Sequence, residues 1–207
     1  MVYIEELVII GENHLEKAKR IQQMRRKMKN FAYSMKPDPD WLRYQDHYTQ
    51  VRFSLVDAVI RGDVSAVKAL LEYGADPNTT DMHSTPILVL AAMCNHIRVG
   101  RALIESKVDL NLYTSLGDSA LMWSSALSEY KFTKMLIDAG AQPNSANFCG
   151  ATPLMMASAV GSLRIAKLLV NSGALISKCD AWNRTAIDIA LYFGNFRVAD
   201  YLKRKVS

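Results

Sequence analysis

The chain has 207 residues, half of them hydrophobic, which is ample for a buried core, and its 25 Lys or Arg exceed 20 Asp or Glu by a net charge of +5. Its three cysteines, an odd number in a chain this long, fit free thiols in a reducing compartment. Residues 1–10 are apolar but too short to span a bilayer, and Glu5 and Glu6 stand where a signal peptide needs cations, so we read neither secretion nor a membrane span. Glu12 and Glu16 argue further against a mitochondrial presequence. A cleaved one would already be missing, which leaves organelle import open.

From His14 to Lys36 the chain carries Lys17, Lys19, Arg20, Arg25, Arg26, Lys27, Lys29 and Lys36 against Glu16 alone, a local balance of +7 that leaves the rest near neutral. Ile21, Met24, Met28, Phe31 and Met35 recur at helical spacing, so residues 1–40 are read as a basic amphipathic helical extension. Its stripe can pack on the neighbouring unit. Alternatively, Lys17, Arg20, Arg25, Arg26, Lys27 and Lys29 dock on an acidic surface: a tubulin-like protein, RNA phosphate or an anionic membrane. Ile21-Gln22 with Arg26 resembles half of an IQ motif, but Lys27 and Phe31 break it. Beyond Pro37-Asp38-Pro39-Asp40, the three- and four-residue steps of Trp41, Tyr44, Tyr48, Val51 and Leu55 predict a helix running into the first repeated unit as its N-terminal cap.

A spacing of 33 residues then governs residues 41–207. Leu55, Leu88, Leu121, Leu154 and Ile187 share one phase; Gly62, Asn95, Ser128, Gly161 and Gly194 share another; Leu70, Leu103, Leu136, Leu169 and Leu202 a third. Thr152-Pro153 offers a side-chain cap and a proline at the first helical position. First helices are therefore expected at about 54–61, 86–94, 119–127, 152–160 and 185–193, with no true sheet. Small residues at Ala58, Ala91, Ser124, Ala157 and Ala190 suit a close helix approach, and Val64, Ile97, Tyr130, Leu163 and Phe196 open the longer second helices. Gly74, Gly140 and Gly173 stop these, with Lys107 in the second unit.

The units resemble ankyrin repeats, each a β-turn finger plus two antiparallel helices with a T-P-L-H-x-A signature, over roughly residues 50–207. Unit 4 matches best, at Asn147, Gly150, Thr152, Pro153, Leu154, Ala157, Gly161, Leu168, Leu169, Gly173 and Ala174. Val56, Val89, Met122, Met155 and Asp188 replace the signature histidine, which puts the polar network it helps form in doubt. Ser84-Thr85-Pro86 sits one residue early, so the second finger is expected to be one shorter and its first helix one longer. The resemblance implies an all-α solenoid of about five units, at about 48–80, 81–113, 114–146, 147–179 and 180–207. Arg197, Asp200, Lys203, Arg204 and Lys205 polarise its last helix.

Catalytic chemistry has no sequence support. His14, His47, His83 and His96 and Cys94, Cys149 and Cys179 form no metal-ligand spacing, and neither a phosphate-binding glycine loop nor a nucleophile elbow occurs. No cofactor, metal or small-molecule substrate is expected. In ankyrin-like stacks function lies on the concave face of finger tips and first-helix ends. Those positions here hold Met82 and His83, Leu116, Phe148 and Trp182 on fingers, and Met93, Leu127, Val160, Tyr192 and Phe193 at helix ends. Leu127 and Val160 are expected to pack sideways; Phe148 and Trp182 are expected to meet a partner. The reading is a non-catalytic scaffold or adaptor, a subunit of a larger assembly in the cytoplasm and in reach of the cytoskeleton. The alternative is a nucleic-acid-associated role through residues 14–36.

Overall fold

The phase occupied by Gly62, Asn95, Ser128, Gly161 and Gly194 decides the architecture, because all five residues adopt the left-handed conformation, with φ between 56° and 75°. At each, the N–H of the following residue bonds the carbonyl of the small residue five positions back: Asp63 to Ala58 at 3.0 Å, His96 to Ala91 at 2.9 Å, Glu129 to Ser124 at 2.8 Å, Ser162 to Ala157 at 2.9 Å and Asn195 to Ala190 at 2.7 Å. That is the hydrogen-bond pattern of a Schellman stop, which satisfies the last carbonyls of one helix while reversing the chain into the next.

In the computed structural model residues 47–206 are described, and they form ten helices in five hairpins. In chain order these are α1 His47–Arg61 and α2 Val64–Glu72; α3 Ile87–Cys94 and α4 Ile97–Glu105; α5 Ala120–Ala126 and α6 Tyr130–Asp138; α7 Pro153–Ala159 and α8 Leu163–Asn171; α9 Ala186–Tyr192 and α10 Phe196–Val206. No strand occurs among the described residues, only isolated bridges from Thr80 to Pro86 and Tyr113 to Ser119. The basic 14–36 segment and the cap residues Trp41 and Tyr44 lie outside them.

Each second helix begins where its apolar opener was expected. The first helices differ at their edges. The first is already helical at His47, the first described residue, in keeping with the helix expected to run through Tyr48, Val51 and Leu55 into the first unit. Ser119, Thr152 and Thr185 cap α5, α7 and α9 by accepting a backbone N–H, and Pro153 takes the first helical position of α7. In the second unit Pro86 stands at the cap position without a side-chain bond. The helix still starts in phase, so its finger is not shortened; α3 is one residue longer at its C-terminal end instead.

Packing follows the small residues. Ala58, Ala91, Ser124, Ala157 and Ala190 are all buried, and each first helix touches its neighbouring first helices more extensively than the second helices touch one another. Leu55, Leu88, Leu121 and Leu154 fill the seams between units, and Leu103, Leu136, Leu169 and Leu202 the gap between layers. Where the signature histidine is lost, Val56, Val89, Met122 and Met155 are buried, so apolar packing replaces a polar network there. Asp188, at the same phase in the last described unit, is exposed and forms a capping box with Thr185.

Side chains tie successive units. His96 Nε2 donates to the Ile60 carbonyl at 3.0 Å, and Asn195 Nδ2 to the Ser158 and Ala159 carbonyls at 2.9 and 2.8 Å. The side-chain oxygens of Asn78, Asn111 and Asn144 accept from Asp109, Gln142 and Leu175 N–H groups of the next long loop.

The packing sets the cost of two kinds of substitution. Leu154→Ala empties a seam position and should lower stability by about 2 to 5 kcal/mol in denaturant melts. Gly161→Ala and Gly173→Ala both force a left-handed alanine, costing about 1 kcal/mol. A Cβ on Gly161 would also overlap Asn195, whereas Gly173 has open space. Gly161→Ala should therefore shift the midpoint clearly more than Gly173→Ala.

Candidate functional site

The fingers are built by one polar side chain each, again at 33-residue spacing. Asp81 Oδ1 accepts the N–H groups of His83 and Thr85 at 2.9 and 2.8 Å, and Thr114 Oγ1 those of Leu116 and Asp118 at 3.3 Å. Asn147 Oδ1 accepts from Cys149 and Ala151 at 3.1 and 2.9 Å, and Asp180 Oδ1 from Trp182 and Arg184 at 2.9 Å. These side-chain turns leave the tip residues no inward option. Ser84, Gly117, Gly150 and Asn183 complete each tip in the left-handed conformation.

The second, third and fourth fingers are joined edge to edge. The Leu116 carbonyl accepts from Phe148 N–H at 3.3 Å, the Cys149 carbonyl from Ala181 N–H at 2.9 Å, and Asn147 Nδ2 donates to Asp118 Oδ1 at 2.8 Å. The first finger has no preceding one, and Arg52 of α1 takes its place, donating to the Thr80 and Asp81 carbonyls and to Thr80 Oγ1 at 2.9 to 3.1 Å.

On this row Met82 is 51% exposed, Leu116 45%, Phe148 71% and Trp182 63%. Phe148 meets Tyr113 edge-to-face with ring centroids 5.8 Å apart, and Arg184, held by Asp180 at 2.8 Å, places its guanidinium 4.9 Å from the Trp182 ring centre. The rings are thus oriented by neighbours yet remain open to solvent. What the row can do chemically is bury apolar area against another surface.

The family model described as Ankyrin repeats (3 copies) matches residues 55–147 and 130–206. The chain belongs to the ankyrin repeat family. Ankyrin repeats generally mediate protein–protein interactions, and the family is generally a non-enzymatic interaction module. No curated protein matches the chain at a significant level. Among the described residues no group of three or more His, Cys, Asp or Glu could hold a metal, and no helix is long and apolar enough to cross a membrane.

The sequence-based site residues divide on inspection of this ankyrin stack. Met82, His83, Leu116, Phe148 and Trp182 lie on the fingers and are exposed. Their phase is exposed in every finger, so the exposure belongs to the finger itself. Tyr192 is exposed too, but Ala126 and Ala159 at its phase are buried by the next unit; its exposure reflects its place in the last described hairpin. Phe193 is half-buried against the core and edge-on to Tyr192. Leu127 and Val160 are buried, as expected of sideways packing, and Met93 is half-buried. Lys17, Arg20, Arg25, Arg26, Lys27 and Lys29 lie outside the described residues. Tyr113, exposed and packed on Phe148, was missed because it precedes the finger rather than standing at its tip.

Between fingers, burial pushes the Asp118 carboxyl above its ordinary range, and the Asn147 hydrogen bond only partly opposes this. A carboxyl raised in the folded state binds its proton more tightly there than when unfolded, so its contribution favours folding as pH falls through the folded value. Asp118→Asn keeps an acceptor for Asn147 and removes the half-buried charge. It should leave the melting temperature at neutral pH unchanged or raised, with a smaller gain on mild acidification than the parent shows.

Proposed function

We propose that this protein is a non-catalytic scaffold or adaptor, a subunit of a larger assembly, that binds a partner protein along its finger row. The observation that supports this reading is the apolar strip of Met82, Leu116, Phe148 and Trp182. Leu116 and Phe148 stay exposed on a hydrogen-bonded edge in interior units, where no missing neighbour accounts for them, and Met82 and Trp182 extend the strip on the first and last described fingers. Aromatic anchors in a fixed frame lose little side-chain freedom on binding, and such groups commonly dominate interface energetics. The reading extends to the cytoplasm, with the cytoskeleton as one setting, since Cys94, Cys149 and Cys179 are all free thiols. The basic 14–36 segment would supply a second contact, to an acidic surface.

The double change Phe148→Ala with Trp182→Ala should weaken partner binding by at least about tenfold and leave the melting temperature nearly unchanged. Co-purification of tagged parent and variant chains, followed by titration of the partner recovered with the parent, measures the first. Calorimetry measures the second. A sharp fall in melting temperature with unchanged binding per folded molecule would move these rings from interface to scaffold.

A further inference from the structure

Exposed cations recur along the second-helix layer. Arg98, Lys131, Arg164 and Arg197 are exposed at one phase of α4, α6, α8 and α10. Three residues further on, one helical step along the same face, stand Arg101, Lys134 and Lys167, with Lys68 at the same phase of α2 and Asp200 at that of α10, all exposed. The second helices hold only four carboxylates, Glu72, Glu105, Asp138 and Asp200. Glu105 lies 3.8 Å from Lys68 and Asp138 2.8 Å from Lys134. Among the described residues Arg98, Arg101, Lys131, Arg164, Lys167 and Arg197 have no ion pair. The other described carboxylates are Asp57 and Asp188 on first helices and Asp63, Asp76, Asp81, Asp109, Asp118, Glu129 and Asp180 in turns, loops and fingers.

We infer that the second-helix layer is a docking surface for the phosphodiester backbone of a nucleic-acid duplex. The surface calls for a polyanion, since two adjacent rows of like charge repel one another and gain only when an opposite charge lies across them. An acidic protein fits less well. Protein interfaces centre on apolar and aromatic side chains depleted in charge, and among the described residues the second helices expose large apolar side chains only at Phe196 and Val206 of α10, at one end of the row. Nucleic-acid interfaces are more polar and strongly positive. A single strand also fits less well, because it binds by stacking bases on a series of exposed rings, whereas Tyr130 is covered by the Arg164 guanidinium at 3.6 Å and the second helices expose one ring, Phe196 at the α10 end of the row. A duplex hides its bases and turns phosphates outward. Helices packed about 10 Å apart carry the row from Arg98 to Arg197 over about 30 Å, close to one duplex turn of about 34 Å. Contacts of this kind are independent of base sequence. The inference is separate from the finger row, which lies on the other layer and binds by apolar burial.

The test uses the full chain, fluorescein-labelled random-sequence duplexes of DNA and of RNA, poly(U), and anionic phosphatidylserine vesicles, titrated over a series of salt concentrations. The parent should bind one or both duplexes with an affinity that falls steeply with salt. The change of Arg98, Lys131, Arg164 and Arg197 together to Gln should reduce affinity at least about tenfold at low salt and flatten the logarithmic salt slope by about 0.9 for each phosphate no longer neutralised. The pairs Arg98→Gln with Lys131→Gln and Arg164→Gln with Arg197→Gln, each checked by its melt, stand in should the fourfold variant unfold. Protection of Lys131, Lys134 and Lys167 from acetylation when duplex is present tests the parent itself. No duplex binding by the parent, binding to vesicles or poly(U) in preference to duplex, or an unchanged slope in the folded variants would each overturn the inference. So would loss of all binding on neutralising Lys17, Arg20, Arg25 and Arg26 while the row variants bind as the parent does.

Discussion

A residue held in the left-handed conformation between the two helices of each unit is the constraint on which the rest of this structure depends. Because the following N–H must reach the carbonyl of the small residue five positions back, the helix end, the reversal and the close approach of neighbouring helices are fixed together. A β-branched residue at that turn would strain the backbone, and a bulky one at Ser124 or Ala157 would part the layers. The register of every unit follows, and with it the position of every finger. Asn95 and Ser128 adopt the same conformation as the glycines, with φ of 56° and 57°, so the tertiary packing imposes it where the residue alone does not favour it.

From that register the finger row inherits its function-bearing geometry. One side-chain oxygen per finger, from Asp81, Thr114, Asn147 and Asp180, accepts two backbone N–H groups, and backbone bonds between tips lock neighbours together. The apolar tips cannot bury themselves without breaking those bonds. An exposed aromatic on a floppy loop could fold back; on this edge it stays available. The second-helix layer differs in kind, since its outward positions carry cations rather than apolar groups.

Much of the fold was legible because its signals are backbone signals. Gly161 and Gly194 mark left-handed turns, Thr152-Pro153 marks a helix start, and Leu88, Leu121 and Leu154 repeat at one interval, so the second-helix starts fell where the sequence put them. Boundaries without such a signal were misplaced. Pro86, which looks like a first helical residue, caps α3 instead. Within the candidate site, the fingertip exposure of Phe148 and Trp182 was readable from position. The exposure of Tyr192 was readable too, but its cause was not, since that depends on a neighbouring unit rather than on the residue. The cationic rows were visible at 33-residue spacing and were overlooked because the dense 14–36 cluster dominates the charge count; Arg98 and Arg164 stand out only once the helices align them on one exposed face without ion-pair partners among the described residues.

The claim that the finger row is where this protein meets its partner is tested most directly by a photoreactive phenylalanine analogue placed singly at position 148, at 182 and, as a reference, at the exposed second-helix end position 139. Irradiation in cells followed by mass analysis should give the same discrete protein adduct from 148 and 182 and none of that mass from 139. An adduct from 139 alone, or unrelated diffuse adducts from 148 and 182, would contradict it.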